Sequence, residues 1–360
     1  LHRNPSRPEE ALVPTPARRA ARLGFALLLT TAAAFGPAAL LARQSGGHCT
    51  SPTGKVFMEN PVASSGNTSL RDRKDADYAA LNSERVSVPL RFLDDSGFLH
   101  GRYAYVVTST GDPAFETDCT YNYTRHDDRF EQVMAYYWVT ASQIYLRSLG
   151  FDGQTFREVN ADQQRVRINQ YGVDNSFATT HPRDEMRFGK GGVDDAEDGD
   201  VILHELGHQI HFSQSDTFFS SLEASSISEG FGDYWAFTVS KAVRGPQFDE
   251  ACVAKWDAVS YDDPTDGSIC LRRLDADLHY PEDLNGRVHH DGEIWSHALY
   301  DLHNAIGATR ANTAILLAQF DWTGTTMPHL AARIVAQVED QYGPAAADDA
   351  KAAFEARGIL

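Results

Sequence analysis

Apolar and polar residues alternate early in the chain and recur at helical spacing later. Val86–Phe92 (VSVPLRF) alternates, Gly101–Thr108 is rich in Tyr and Val, and Gly, Asn, Asp and Pro clusters punctuate residues 50–125. That texture predicts short strands joined by turns. From Arg129 the period lengthens: FEQVMAYYWVTASQIYLRSLG carries apolar residues at helical spacing and stops at Gly150. Val166–Gln170 predicts one more strand. A glycine-rich acidic stretch, FGKGGVDDAEDGD, then runs into a helix starting near Asp198–Asp200. Further helices are expected at Ile227–Val243, Gly292–Ile306, Thr309–Phe320, Met327–Tyr342 and Ala345–Ala356. Strands first and helices later define an α+β class, with no internal repeat.

Hydrophobic residues make up 42% of the 360 and aromatics 11%, enough for a sizeable core, which excludes wholesale disorder. The length suits two domains or one two-lobed unit. A net charge of −18 without a basic stripe argues against nucleic acid as a partner. The charge is uneven. Residues 1–43 carry six Arg and two Glu, so they are +4 and the rest is −22. Arg18, Arg19 and Arg22 precede an uncharged run over residues 23–42, LGFALLLTTAAAFGPAALLA. Basic residues before an apolar stretch read as an export signal, with cleavage near Ala38 or Ala42. Left uncleaved, the run is long enough to anchor the chain in a membrane. The expected location is therefore secreted, periplasmic or at the cell surface, with membrane anchoring as the alternative. Cys49, Cys119, Cys252 and Cys270 all lie beyond this segment. Proximity in sequence favours Cys252–Cys270 and leaves Cys49–Cys119 as the second disulfide.

The segment with chemistry is VILHELGHQIH, residues 201–211. His204 and His208 are four apart, so on a helix both imidazoles project from one face and can bind a single Zn²⁺. Glu205 lies beside the first ligand, where it can act on an attacking water. The extension HExxHxxGxxH fails, because Gln214 stands where a third histidine would be needed. The other common arrangement takes a Glu from a following helix. Glu229 supplies one in SISEGFGDYWAF, and Asp233 follows four residues later on the same face. One carboxylate can bind metal while the other orients a ligand histidine.

With these pieces in order the chain resembles the glutamate-type zinc metallopeptidases (gluzincins), thermolysin-like and especially fungalysin-like. The matching motifs are DNSFA (Asp174–Ala178), FGKGG (Phe188–Gly192), AEDGDVILHELGH (Ala196–His208), SEGFGDYWA (Ser228–Ala236) and VHHDGEIWSHALYDL (Val288–Leu302). The resemblance covers about residues 125–305 and weakens over 50–125. It implies a thermolysin-like two-lobed zincin, with a strand-rich lobe and a helical lobe meeting at the helix 198–213. Residues 44–125 would be a strand-rich region and 126–360 the catalytic region. It implies His204, His208 and Glu229 as zinc ligands, Glu205 as general base and Asp233 orienting a ligand histidine. It also implies His289, rather than its neighbour His290, as stabiliser of the tetrahedral intermediate, and Asn175 as a substrate-binding residue. Three departures stand out. Position 178 is Ala where relatives carry an aromatic, and the acidic partner of His289 is ambiguous between Glu282 and Asp283. No Tyr lies between His208 and Glu229 to serve as oxyanion donor.

The acidic run Asp194, Asp195, Glu197, Asp198 and Asp200 has two readings. It can be a helix N-terminus, where carboxylates cap and favour the dipole. It can also be a Ca²⁺ site of clustered oxygen ligands, since Asp200 aligns with a calcium-binding aspartate of thermolysin-like enzymes. His211 is expected to pack or to line the rim, and His297 and His303 to be surface or core polar residues. Asn67 and Asn122 begin glycosylation sequons. The relatives carry long propeptides; here residues 44–125 look like part of the catalytic unit, so a propeptide is either lacking or upstream of the given start. The function expected is an exported, monomeric zinc endopeptidase acting on protein or peptide substrates. The alternatives are a zinc hydrolase of narrow non-protein specificity and a catalytically weak zincin-fold binding protein.

Overall fold

The structure, a computed structural model, describes residues 49–261 and 269–360. The export segment expected at residues 1–43 lies outside the described residues. The described residues all fall within one compact unit. The fold is α+β, strands early and helices late, as the pattern predicts.

Strands β1 (Thr53–Phe57), β2 (Arg85–Pro89) and β4 (Thr120–Tyr121) form one sheet in the order β2-β1-β4. A second sheet takes β3 (Ala104–Thr108), β5 (Gln164–Ile168), β7 (Glu185–Arg187) and β6 (Phe177–Thr179), in that order. Its first three strands are parallel and β6 closes the edge antiparallel to β7. Strand β5 starts and ends two residues earlier than the alternation suggests. Asn169 adopts the left-handed conformation at φ 53° and cannot continue the ladder. Two short helices, α1 (Pro61–Ser65) and α2 (Ala79–Asn82), lie between β1 and β2.

Helix α3 (Arg129–Ser148) runs beneath both sheets and buries Phe130, Val133, Met134 and Trp138. All five tryptophans are fully buried. The late helices are α4 (Gly199–Gln214), α5 (Leu222–Arg244), α6 (Val288–Ile306), α7 (Ala308–Gln319), α8 (Met327–Tyr342) and α9 (Pro344–Glu355). Between α5 and α6 a two-stranded ladder pairs β8 (Cys252–Val253) with β9 (Arg272–Arg273). The disulfides are Cys49–Cys119 and Cys252–Cys270, as sequence proximity suggests. They fit an oxidising compartment. No helix among the described residues is long and apolar enough to cross a membrane.

Two helix starts differ from the sequence pattern, and both differences position the site. Helix α5 begins five residues before Ile227, because Ser221 caps it by accepting from Ala224 N at 3.1 Å. Helix α6 begins at Val288 rather than Gly292, which puts His289 in its first turn. The Asp291 carboxylate accepts from Asn285 N (2.8 Å) and Gly286 N (3.0 Å) and folds the preceding turn.

Candidate metal centre

Helix α4 is buried on nearly every face, between the β6–β7 edge and α5. Such a helix cannot carry His204, Glu205 and His208 as a solvated polar face. Its start is fixed by Asp198, whose side chain accepts from Asp200 N at 2.9 Å. Against the sheet, Gln209 Nε2 donates to the Glu185 carbonyl at 3.2 Å. On the other side α4 and α5 cross where both present glycine: a β-carbon on Gly207 would lie 2.8 Å from the Gly232 Cα. That contact lets the His204 ring lie on α5, within reach of Glu229 and Asp233.

One donor atom from each of His204, His208 and Glu229 lies within 4.8 Å of the other two. His204 Nε2 is 3.2 Å from Glu229 Oε2, and His208 Nε2 is 3.6 Å from Glu229 Oε1. Ligands of a tetrahedral zinc, each about 2.0–2.1 Å from the metal, stand about 3.3–3.4 Å apart. The spacing and the donor set, two imidazoles and one carboxylate, therefore fit zinc. The imidazole planes are 86° apart, so the two nitrogens approach one point from different directions.

The far side of each ring is also held. His204 Nδ1 is 2.8 Å from Asp233 Oδ1, and Arg272 grips Asp233 with Nε at 2.6 Å and Nη2 at 2.7 Å. Burial opposes ionisation of Asp233, but Arg272 and His204 outweigh it and hold its pKa down to about 2. Burial opposes a charge on His204, but Asp233 and Glu229 outweigh it and raise its pKa to about 10, so the ring donates from Nδ1 to Asp233 and a metal would take the place of its Nε2 proton. His208 Nδ1 lies 2.8 Å from Ser228 Oγ, which is in turn 3.0 Å from His211 Nδ1. The consistent assignment has His208 donating to Ser228 and the Ser228 hydroxyl donating to His211. Burial, followed by the repulsion of His204, lowers the His208 pKa to about 4 despite Glu229. A neutral imidazole is the form a metal requires. Glu229 is pulled well below the carboxylate range, because His289, His208 and His204 outweigh its burial.

Most of the expected residues converge here. Glu205 sits on α4 and is buried beside His204. His289 Nε2 lies 3.3 Å from Glu229 Oε2, whereas His290 turns to Asp291, with Nδ1 3.4 Å from Oδ1. His211 is a packing residue, stacked on Phe218 at 3.6 Å and on Phe231 at 4.4 Å between ring centroids. His297 and His303 are buried. Asn175 is exposed just ahead of edge strand β6. Asp283 accepts from His279 N at 2.7 Å. In the segment without a tyrosine, Phe219 packs edge-on to His208 at 6.0 Å.

The acidic run 194–200 is divided by the fold. Glu197 accepts from Arg125 Nε at 3.0 Å and from Trp256 Nε1 at 2.9 Å. Asp198 also accepts from Asn60 Nδ2 (3.1 Å) and Trp256 N (2.9 Å), and Asp200 from Ala254 N (3.0 Å). These three therefore do structural work at the helix start. Burial and then Glu197 raise Asp194 to about 8, beside the buried Glu131.

Two site residues were missed in the sequence, Arg272 and Ser228. Arg272 reaches Asp233 because β9 pairs with β8, with Arg272 opposite Val253, beside the Cys252–Cys270 disulfide. Nothing in the spacing of Arg272 signals this. Ser228 had a visible signal, as the residue immediately before Glu229.

Comparison with known proteins adds little. No family model matches the chain, and no curated protein does. Among solved structures, the precursor of protealysin, a metalloproteinase from Serratia proteamaculans, is similar at 17% identity and a TM-score of 0.47. The match covers 64% of this chain and 79% of that one. A likeness of that size leaves function to the site's own geometry.

Proposed function

We propose that the protein is an exported zinc-dependent endopeptidase. The observation that carries this reading is the convergence of His204, His208 and Glu229 on one point, with Asp233 behind the first histidine and His289 beside the carboxylate. The three ligands would leave a fourth position open, as in catalytic rather than structural zinc sites. Bound there, zinc would acidify a water and polarise the scissile carbonyl. Glu205, next to the first ligand, would take the proton of the attacking water and return it to the leaving amine. His289 would donate from its ring nitrogen to the developing oxyanion. Asp233 and Ser228 would hold the two ligand rings, so that no reorientation is needed during the reaction. Asn175, ahead of the edge strand, would hydrogen-bond an extended peptide, the mode by which sheet edges hold substrates.

The second reading is a zinc protein with weak hydrolysis. It is favoured by Phe219, which packs beside His208 in a segment that offers no phenolic hydroxyl. Cleavage of casein or a quenched peptide, with and without o-phenanthroline, separates the two. Cleavage lost to the chelator and restored by zinc supports the peptidase; stoichiometric zinc without cleavage supports the weak zincin.

A further inference from the structure

We infer that Asp174, Asp195 and Asp257 form a second cation site, one for calcium. One carboxylate oxygen from each lies within 4.8 Å of the other two. Calcium binds oxygen ligands at about 2.3–2.6 Å, so two of its ligands stand at most about 4.6–5.2 Å apart and one ion can bridge all three. Asp195 and Asp257 are 2% and 4% exposed, so this is no solvated acidic surface.

The second observation is the state of Asp195 itself. Its Oδ2 accepts from the Ser176 hydroxyl, while Oδ1 is buried with no hydrogen-bond partner among the described residues. Buried carboxylate oxygens are rarely left so, because desolvation then goes uncompensated. The strongest charges acting on Asp195 are those of Asp257, Asp174 and Glu205, all negative. Its acidic neighbours are differently placed: Glu197 has Arg125, and Asp198 and Asp200 have backbone N–H donors.

The donors are carboxylates with a serine hydroxyl nearby, a hard-oxygen set that favours calcium or magnesium over zinc. They come from separate segments, ahead of β6, ahead of α4 and after β8. Such a site suits the adaptable shell of calcium better than the strict octahedron of magnesium. A bound ion would tie the approach to β6 to the segment after β8, where the Tyr261 hydroxyl already lies 2.6 Å from Asp174 Oδ1. Asn175 lies between the two residues, Asp174 and Ser176, so fixed.

The test is calcium titration by calorimetry of the full chain, zinc-loaded and freed of calcium with EGTA, alongside thermal unfolding with and without calcium. Magnesium is the control titrant. Wild type is expected to bind a calcium equivalent that Asp195→Asn lacks, and to gain melting temperature with calcium. Asp195→Asn is expected to lose that gain yet melt in EGTA no lower than wild type, since it removes a buried acid crowded by Asp174 and Asp257. Asp257→Asn, at another corner of the site, should lose the same equivalent, which keeps the test decisive if the first variant misfolds. Wild type taking up no calcium at roughly 10⁻³ M, the weak end of calcium modules, would overturn the inference. So would unchanged calcium binding in both variants, or protection by protons alone at low pH.

Discussion

A β-carbon on Gly232 would lie 2.7 Å from Nδ1 of His204, closer than side chains pack. The absence of a side chain at residue 232 is thus what lets the first histidine rest on α5 with Asp233 at its back. Gly232→Ala should push the ring off Asp233 or part the helices, at a cost of about 1–3 kcal/mol for overpacking. A lower melting temperature and weaker zinc retention against a chromogenic chelator are expected. Wild-type values for both would mean that the close crossing does not position the ligand.

Ser228 links His208 to His211, and its removal should be felt through the metal rather than through the fold. Ser228→Ala is expected to weaken zinc affinity by about 10–100-fold, the usual effect of losing a partner behind a ligand histidine. Ser228→Thr, which keeps the hydroxyl, should recover part of it. Competition titration with a zinc dye measures both; equal affinity in Ser228→Ala and wild type would refute the role.

Arg125 is buried, bonded to Glu197 at 3.0 Å and to Asp72 at 2.6 Å. Arg125→Met leaves Glu197 buried without its counterion, which typically costs about 3–5 kcal/mol. Urea unfolding monitored by tryptophan fluorescence is the measurement. A loss under about 1 kcal/mol, the scale of a surface pair, would show that the site is far wetter than its burial implies.

His303 gives the clearest pH dependence away from the metal. Burial, then Lys241, lowers its pKa from 6.5 to about 4, and its Nδ1 faces the Tyr234 hydroxyl at 3.3 Å. The native state keeps this ring neutral while the unfolded chain protonates it as the pH falls below 6.5. Its contribution is therefore full above that pH and is lost progressively towards pH 4, by up to about 3 kcal/mol. His303→Gln should flatten the decline in unfolding free energy between pH 6.5 and 4.5. An unchanged slope would place the acid sensitivity elsewhere.

The candidate metal-binding set was legible in the sequence because its logic is local. A spacing of four from His204 to His208 is about one helical turn, and the same spacing from Glu229 to Asp233 is another. What joins the turns was not legible, since it depends on the glycine crossing and on β9 delivering Arg272 from a distant segment. The acidic run illustrates the same limit. Five acids close in sequence suggested one site, but the folded chain engages Glu197, Asp198 and Asp200 with Arg125 and backbone donors. It gathers Asp195 instead with Asp174 and Asp257, from far along the chain. Helix starts failed for a simpler reason: Ser221 caps a first turn of small and polar residues that carries little hydrophobic pattern.

The most direct measurement takes zinc content and peptide cleavage from the same preparations of wild type and Glu205→Gln. The expected result is one zinc per chain in both, with cleavage by the variant reduced by about 10²–10⁴-fold, the usual contribution of a positioned general base. Cleavage by Glu205→Gln at the wild-type rate, or zinc-free wild type that cleaves peptide as fast as the loaded protein, would contradict it.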